Sequence, residues 1–589
     1  MIFGKQVNKY YLKYAGLFLL GFLALLTVDY AQLEIPKIYR MLLSGINTGY
    51  IDEAGAVKFD LGVLADKICA PMLIIILAMI LGRFLWRVCF FGAGIRVEAD
   101  MRKRMFDHAK DLSPQYYQVN KVGNLMSLFT NDLSTVEECF GWGVMMVLDA
   151  SVLGGLAVYN MITVQPSLAF LCAIPLVFMM VIGIIMTKYL MLKWDERQAA
   201  FSDISDFSQE SFSGISVIKA FVKETKELWH FKKLNEKNEN VNVEYAKLST
   251  LLHVAVFLFV EAVICIILGY GGYLVWKKVL TAEALLEFIG YFTAIIWPVI
   301  AVSELIDMRS RGISSLKRIS ELLNAEIDVK DSPSAVDAGA LSGKIEFRNL
   351  TFRYPGADYD AVKNLSLVIE AGENVGIVGR IGSGKTTLVD LILRTHNVPD
   401  GTIFLDGKDV NSLTIKSVRR NAAYVPQDNF LFSDTIGNNI SFASDGASIE
   451  NVRRAAFLAG VSQNIEEFKE GYETVLGERG VTVSGGQKQR ISIARALMKE
   501  AAILILDDSV SAVDTNTEKE ILTHLSETRK GKTTILIAHR ISTVERMDKI
   551  FFLEEGELIA SGKHDELIKI CPEYARTVEL QKLEEKEGE

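Results

Sequence analysis

One glycine-rich run in this chain has residue types and spacing suited to phosphate: Gly379, Arg380, Ile381, Gly382, Ser383, Gly384, Lys385 and Thr386. It matches the P-loop pattern, in which the backbone N–H groups of the turn and the positive end of the next helix cradle phosphate oxygens. In that pattern Lys385 reaches the terminal phosphates, Thr386 ligates magnesium, and Thr387 follows on the same first turn of helix. The pattern needs a strand before and a helix after. Asn374-Val-Gly-Ile-Val-Gly reads as the strand, and a helix is expected from Lys385. A second apolar run, Ala501-Ala-Ile-Leu-Ile-Leu, ends in Asp507 and Asp508. A buried parallel strand that delivers an acid at its C-terminal edge is where a magnesium ligand is needed, which points to Asp507. ATP with Mg2+ is the expected ligand pair.

Such residues need an α/β domain to hold them. The pattern of one begins at Lys344-Ile-Glu-Phe, and residues 344–589 alternate short β-branched strands with helices. Residues 321–343, which include Asp331-Ser-Pro-Ser, read as a linker. Residues 1–320 differ in kind. The chain has 589 residues, too many for one core, and its mean hydropathy is +0.23 although 23% of its residues are charged. Apolar residues must therefore be concentrated, and they lie ahead of the linker.

A bilayer core takes about 20 apolar residues per helix. Six stretches reach that length: Tyr14–Ile35, Ala70–Phe91, Phe140–Val164, Ser167–Leu192, Leu251–Trp276 and Ala284–Ile306. Six are too many for buried helices of a soluble protein. The long charged gaps after the second and fourth stretches predict helices that continue beyond the bilayer, with turns near Pro114–Val119 and Gln209–Gly214 reaching the second domain. Lys5, Lys9 and Lys13, then Arg96, Arg102, Lys103 and Arg104, then Arg309, Arg311, Lys317 and Arg318 flank the spans on one side. By the positive-inside rule that side, with both termini, is cytoplasmic. Asp52, Glu53 and Asp60 against Lys58 suit the outside; Lys277 and Lys278 run against the count without reversing it. The basic segment Met1–Lys13 leads into the first run without a small-residue cleavage site, so that run is expected to be retained as a span. The expected fold class is an all-α six-helix transmembrane domain followed by an α/β P-loop nucleotide-binding domain.

The balance of 63 basic against 72 acidic residues, net −9, gives no reason to expect nucleic acid as a partner. The six cysteines form no Cys-x-x-Cys pair, so neither a disulfide framework nor a cysteine metal site is expected.

Residues 344–570 resemble the nucleotide-binding domain of an ABC transporter. The run Val483-Ser484-Gly485-Gly486-Gln487-Lys488-Gln489-Arg490 is similar to the signature of that family and lies just ahead of the strand ending at Asp507. The resemblance implies roles for further residues. Tyr354, in Phe-Arg-Tyr, would stack on adenine; Gln427, in Tyr-Val-Pro-Gln, would be the Q-loop residue at magnesium and the attacking water. Asp514, in Ser-Ala-Val-Asp, would belong to the D-loop, and His539, in Ile-Ala-His-Arg, would be the switch histidine. Glu478 resembles the segment that exporters place ahead of the signature. Six spans before one such domain is the order of an exporter half-transporter, so the resemblance covers the whole chain. It implies a second half-transporter chain as partner, with each ATP held between the P-loop face of one domain and the signature, here Ser484–Gln487, of the other.

One position departs from the family pattern. The residue after the magnesium-binding aspartate is usually a glutamate that polarises the attacking water; here it is Asp508, one methylene shorter. A general base must come within about 2.6–3.2 Å of its proton, and a misplacement of about 1 Å can cost on the order of a hundredfold in rate. This resembles the subunit of heterodimeric exporters that brings one degenerate and one competent half-site. ATP at Lys385 and Asp507 is then expected to be hydrolysed slowly, while Ser484–Gln487 complete a faster site on a different chain. A homodimer in which Asp508 still works is the alternative.

Asp29, Glu34, Asp149, His253, Glu261 and Glu304 lie within or near the spans. Charge in a bilayer is expensive and tends to face a wet cavity or a partner. These residues read either as an acidic cavity for cationic cargo or as polar contacts between helices. Phe257, Phe259, Phe288, Tyr291, Phe292 and Trp297 read as a greasy binding wall or as packing, and Pro298 as a kink. The expected activity is ATP-driven export of hydrophobic or amphiphilic, drug-like compounds across the plasma membrane. A peptide or lipid exporter, or a nucleotide-gated regulator or channel, is the alternative.

Overall fold

The computed structural model describes residues 7–51, 57–58, 60–444, 446–477, 480, 483–511 and 513–587. Asp52, Glu53 and Glu478 lie outside the described residues. The chain divides into two compact units: Met1–Lys110 with Lys121–Ala325, and Asp111–Asn120 with Glu326–Glu589.

The first unit is built from six long helices: α1 (Ala15–Thr48), α2 (Ala70–Ala109), α3 (Val144–Val164), α4 (Pro166–Ser213), α5 (Glu224–Trp276) and α6 (Ala282–Leu323). Each belongs to a helical stretch long and apolar enough to cross a membrane, in agreement with the six runs in the sequence. At about 1.5 Å per residue, the 53 residues of α5 outrun a hydrocarbon core of about 30 Å, as the charged gaps predict. The second expected turn, near Gln209–Gly214, is made at the last residue of that stretch. Helix α4 continues through Gln209 to Ser213, and the chain turns at Gly214, whose N–H closes on the Glu210 carbonyl at 2.8 Å. A short helix, Ile215–Ala220, follows before α5. Polar residues such as Gln209 and Glu210 extend a helix without penalty, and the glycine ends it.

Small residues let these helices approach closely, as expected where burial in lipid offers no hydrophobic gain. A Cβ on Gly290 of α6 would lie 2.6 Å from Pro36 of α1, and one on Gly154 of α3 would lie 3.2 Å from Pro298 of α6. Leu33, Leu153, Ala157, Phe288, Tyr291, Phe292 and Ile295 form the core between them. Phe288, Tyr291 and Phe292 are therefore packing residues, whereas Phe257 is exposed. Helix α6 runs unbroken through Pro298. Buried Asp132 accepts from Ser315 Oγ at 2.7 Å and from Arg318 Nε at 3.2 Å, linking the helical segment ahead of α3 to α6.

The second unit carries two sheets. Strands β1 (Ile345–Phe352), β2 (Val362–Ile369), β4 (Ile403–Leu405) and β5 (Lys408–Asp409) form an antiparallel sheet in the order β2-β1-β4-β5. Strands β3 (Asn374–Gly379), β6 (Ala422–Val425), β7 (Ile503–Asp507), β8 (Thr533–Ile537), β9 (Lys549–Glu554) and β10 (Glu557–Gly562) form a six-stranded sheet in the order β10-β9-β3-β8-β7-β6. All its pairings are parallel except β9 with β10. Strands β7 and β8 are buried along their whole length, which is why they read as continuous apolar runs. In register, Ile537 faces both Ile377 and Asp507. The C-terminal ends of β3, β8 and β7 thus finish level, where an open parallel sheet binds its ligand.

Candidate functional site

Strand β3 leads into the glycine-rich turn, and α7 (Lys385–Ile392) follows it. Two glycines in the turn are required by close approach. A Cβ on Gly379 would sit 2.1 Å from the Leu553 carbonyl oxygen, and one on Gly384, whose φ is +90°, would sit 2.5 Å from that of Ala361. The turn is thereby pressed against β9 and the start of β2. Arg380 and Ile381 point outward, Arg380 lying 3.6 Å from Glu554. Gly382 takes φ +82° with open space around it, and Ser383 is buried with its Oγ 3.5 Å from Lys385 Nζ.

Lys385 is buried, and its ammonium donates to the carbonyls of Gly379 at 2.9 Å and Arg380 at 2.8 Å. Burial pulls its pKa down, against the fields of Asp507 and Asp508. Asp507, at the end of β7, is 1% exposed. Burial pushes its pKa up, and the hydrogen bond from Thr386 opposes that. The Tyr424 hydroxyl also reaches it. Even so, Asp507 Oδ2 is buried with no donor. The acid and the lysine are both desolvated toward neutrality, so a cation at Asp507 and an anion at Lys385 would relieve both. The hydroxyl of Thr386 and the orphaned Asp507 oxygen fit magnesium.

Asp508 stands beside this pair in left-handed backbone, φ +45°, a conformation that aspartate tolerates better than longer side chains. Its N–H donates to Ile537 O at 2.9 Å, and its carbonyl accepts from Ser511 Oγ at 2.9 Å and Gln489 Nε2 at 3.5 Å. Gln427 Nε2 points at Asp508 Oδ2 from 3.5 Å. His539 follows β8 and lies close to Asp507. Its carbonyl accepts from Gln581 Nε2 at 2.7 Å, while Ile541 N donates to Gln581 Oε1 at 2.8 Å. The fold therefore gathers the glycine-rich turn, Lys385, Thr386, Asp507, Asp508, Gln427 and His539 at one edge of the sheet.

Other expected site residues stand differently. The Tyr354 hydroxyl donates to Thr387 Oγ1 at 3.0 Å, and its ring meets Phe352 and His396 edge-on. Ser484 and Gln487 form a capping box at the start of α8 (Gly485–Leu497), with Gly485 and Gly486 in its first turn. Among the described residues no hydrogen bond joins Ser484–Gln487 to Lys385, Thr386 or Asp507. Asp514 caps α9 (Thr515–Thr528) by accepting from Thr517 N at 3.0 Å.

Three neighbours of the site escaped the sequence reading. Tyr424 opens the Tyr-Val-Pro-Gln run that ends at Gln427 but carries no motif of its own. Asp390 lies four residues after Thr386 on α7, a spacing that puts both on one face and could have flagged it; burial pushes its pKa up to about 6. Gln581 belongs to α10 (Pro572–Glu587) and had no local signal.

In the first unit, Glu34 is paired with Lys37 at 2.6 Å, and Glu261, Glu304 and His253 are exposed. Of the ionisable residues expected within or near the spans, only Asp29 and Asp149 are buried, with Trp297 Nε1 donating to Asp149 Oδ2 at 2.6 Å. An unforeseen pair joins α1 to α6: Arg40 meets Glu287 at 2.9 Å, and Tyr291 donates to the same carboxylate at 2.8 Å.

Comparison with known proteins agrees with this architecture. Residues 18–299 match the ABC transporter transmembrane region, and residues 362–511 match the ABC transporter model. The chain is 34% identical over 575 residues to a probable multidrug resistance ABC transporter ATP-binding/permease protein, YheI, of Bacillus subtilis, covering 98% of this chain and 96% of that one. It is 33% identical to the multidrug resistance-like ATP-binding protein MdlA of Escherichia coli, over 96% of this chain and 94% of MdlA. An ATP-dependent lipid A-core flippase of Syntrophus aciditrophicus is 32% identical over 88% of this chain and 86% of its own. A solved bacterial Atm1-family ABC exporter with ATP bound shares the fold, with a TM-score of 0.80 at 24% identity over 98% of this chain and 100% of that one. With a membrane region and an ATP-binding domain on one polypeptide, this chain belongs to the ABC transporter family as an exporter half-transporter, an ATPase coupled to transport.

Proposed function

We propose that this chain exports hydrophobic or amphiphilic, drug-like compounds from the cell as one subunit of a heterodimer, and that its own ATP site turns over slowly. The observation that carries the reading is Asp508: the acid next to Asp507 is the short one, and its carboxylate meets Gln427 Nε2 only at 3.5 Å. Residues 1–320 serve as the membrane domain, 321–343 as the linker and 344–589 as the ATP-binding domain. Both termini are cytoplasmic and the membrane is the plasma membrane.

Lys385 and the N–H groups of Gly379–Gly384 bind the phosphates, and Tyr354 takes the adenine. Magnesium, held by Thr386, Gln427 and Asp507, would supply neutralisation of phosphate charge. Asp508 holds the attacking water, and His539 donates to the terminal phosphate. Ser484–Gln487 have their polar atoms gathered at a helix start, which suits phosphate, and serve the site of the partner chain, with Asp514 beside them. ATP binding favours closure of the two ATP-binding domains, and that binding energy shifts the spans from inward-open to outward-open.

The test is ATP turnover by the purified chain alone and with candidate partner chains, together with ATP-dependent dye uptake into inside-out vesicles. Slow turnover alone and fast turnover with a partner are expected. Vigorous magnesium-dependent hydrolysis by the chain alone would replace the heterodimer with a homodimer. A lipid exporter is the second reading, favoured by the relative named a lipid A-core flippase; ATP-driven lipid translocation without dye uptake would establish it.

A further inference from the structure

Stacking on adenine uses the ring of Tyr354 and leaves its hydroxyl without a task. The fold gives that hydroxyl a partner 33 residues further along the chain, Thr387, whose Oγ1 lies 3.0 Å away. The ring itself is held edge-on by Phe352 and His396, with centroids 5.1 and 5.2 Å apart. A phenol is far more acidic than an aliphatic alcohol, so the tyrosine is the donor of the pair. Its proton takes one lone pair of the Thr387 oxygen and leaves the Thr387 proton to be given elsewhere.

Thr387 is 6% exposed and stands in the first turn of α7, two residues after Lys385. A threonine inside a helix can give its proton to the carbonyl four residues back. Thr27, Thr130, Thr135, Thr523 and Thr577 of this chain do so, at 2.7–3.0 Å. Thr387 does not: no such bond runs to the Ser383 carbonyl among the described residues, and the hydrogen bond it makes is the one from Tyr354. A buried donor without an acceptor is costly. Here it sits at the start of a helix whose N–H groups already face the glycine-rich turn, where phosphate oxygens would accept it.

We propose that the Tyr354 hydroxyl is a positioning group for phosphate, holding Thr387 Oγ1 so that the Thr387 proton is given to a phosphate oxygen of the nucleotide. The inference rests on the proposed nucleotide site and adds a link between its base end and its phosphate end. Tyr354 then acts twice, through its ring on adenine and through Thr387 on phosphate. A proton donated into Thr387 Oγ1 also polarises the Thr387 O–H and strengthens the bond made in turn. A bond that only fastened the loop after β1 to α7 would add stability and leave phosphate affinity alone.

The test uses the full-length protein in detergent with magnesium and two probes, each read by displacement of a fluorescent ATP analogue: tripolyphosphate, which has no base to stack, and adenosine, which has no phosphate. Tyr354→Phe keeps the ring and should weaken tripolyphosphate binding about fivefold while adenosine binds as before. Thr387→Val, equal in shape but without the hydroxyl, should weaken tripolyphosphate by at least as much, and Thr387→Ser should restore most of the affinity. Adding Tyr354→Phe to Thr387→Val should cost nothing further, because the two groups act as one unit. Unchanged tripolyphosphate affinity in Tyr354→Phe, or losses that add in the double variant, overturns the inference and leaves the nucleotide site standing. Tripolyphosphate binding that survives Lys385→Ala undiminished overturns the reading of this turn as the phosphate site.

Discussion

The backbone N–H of Asp508 donates to the carbonyl of Ile537 at 2.9 Å. The bond ties the residue after β7 to the end of β8, so the start of the Asp508 side chain is set by the sheet and not by a mobile loop. A carboxylate on a fixed backbone can be moved only by changing its length. Asp508→Glu is therefore expected to raise ATP turnover at this site by roughly tenfold to a hundredfold, measured as kcat in the assembled transporter with the partner's own hydrolytic site disabled. An unchanged kcat would mean that the missing methylene does not limit the rate.

Gln581 grips the strand-to-helix loop at both ends, accepting from Ile541 N and donating to His539 O. Both bonds go to the backbone of the segment that carries His539, so its role is to position that histidine. Gln581→Ala should lower kcat several-fold, about 1 kcal/mol for lost hydrogen bonds, with KM for ATP unchanged. Gln581→Glu keeps the acceptor for Ile541 N but loses the donor to His539 O, and should fall between the two. A change confined to KM would assign Gln581 to binding instead.

Asp390 has its pKa pushed up to about 6 by burial, with Asp507 adding to the shift. An acid with a raised native pKa stabilises the fold least when ionised: its contribution is intact below about pH 4 and is lost as pH rises through about 6. Asp390→Asn should thus stabilise the ATP-binding domain at pH 7.5, by at most about 3 kcal/mol, and have no effect near pH 4. Thermal unfolding of the full-length protein at the two pH values measures this.

Gly290 seats Pro36, and an added Cβ would lie 2.6 Å from the proline ring. Neither the ring nor the helix backbone behind it can yield cheaply. Gly290→Ala should destabilise the membrane unit by about 1–3 kcal/mol, read as a lower melting temperature in detergent, while ATP binding by the ATP-binding domain is retained. Gly183→Ala, where nothing lies within 4 Å of the new Cβ, is the control and should melt like the unaltered protein.

Much of the architecture was written locally. Spans of bilayer length, the turn from Gly379 to Thr386 and the strand ending in Asp507 depend on residues close together in the chain, and each appeared where the local pattern put it. The second turn came at Gly214, the last residue of the expected stretch, because Gln209 and Glu210 are polar without being helix breakers and Gly214 carries the break. For the membrane acids the local sequence left a cavity and helix contacts both open, since hydropathy reports how costly a charge is and not which neighbour answers it. Glu34 found Lys37, whereas Asp149 found the indole of Trp297.

By itself the sequence determined the class of protein: two unlike parts, six spans, and a phosphate-binding turn with its acid. Those features arise from hydrophobic length, glycine geometry and residue order, all short-range. Only the tertiary structure decided that Trp297 meets Asp149, that Arg40 meets Glu287 and that Gln581 holds His539. The physical reason is that each pairing depends on the rotation and axial offset of two packed elements, which are set by close contacts such as Gly290 on Pro36 and are encoded in no single stretch of the chain.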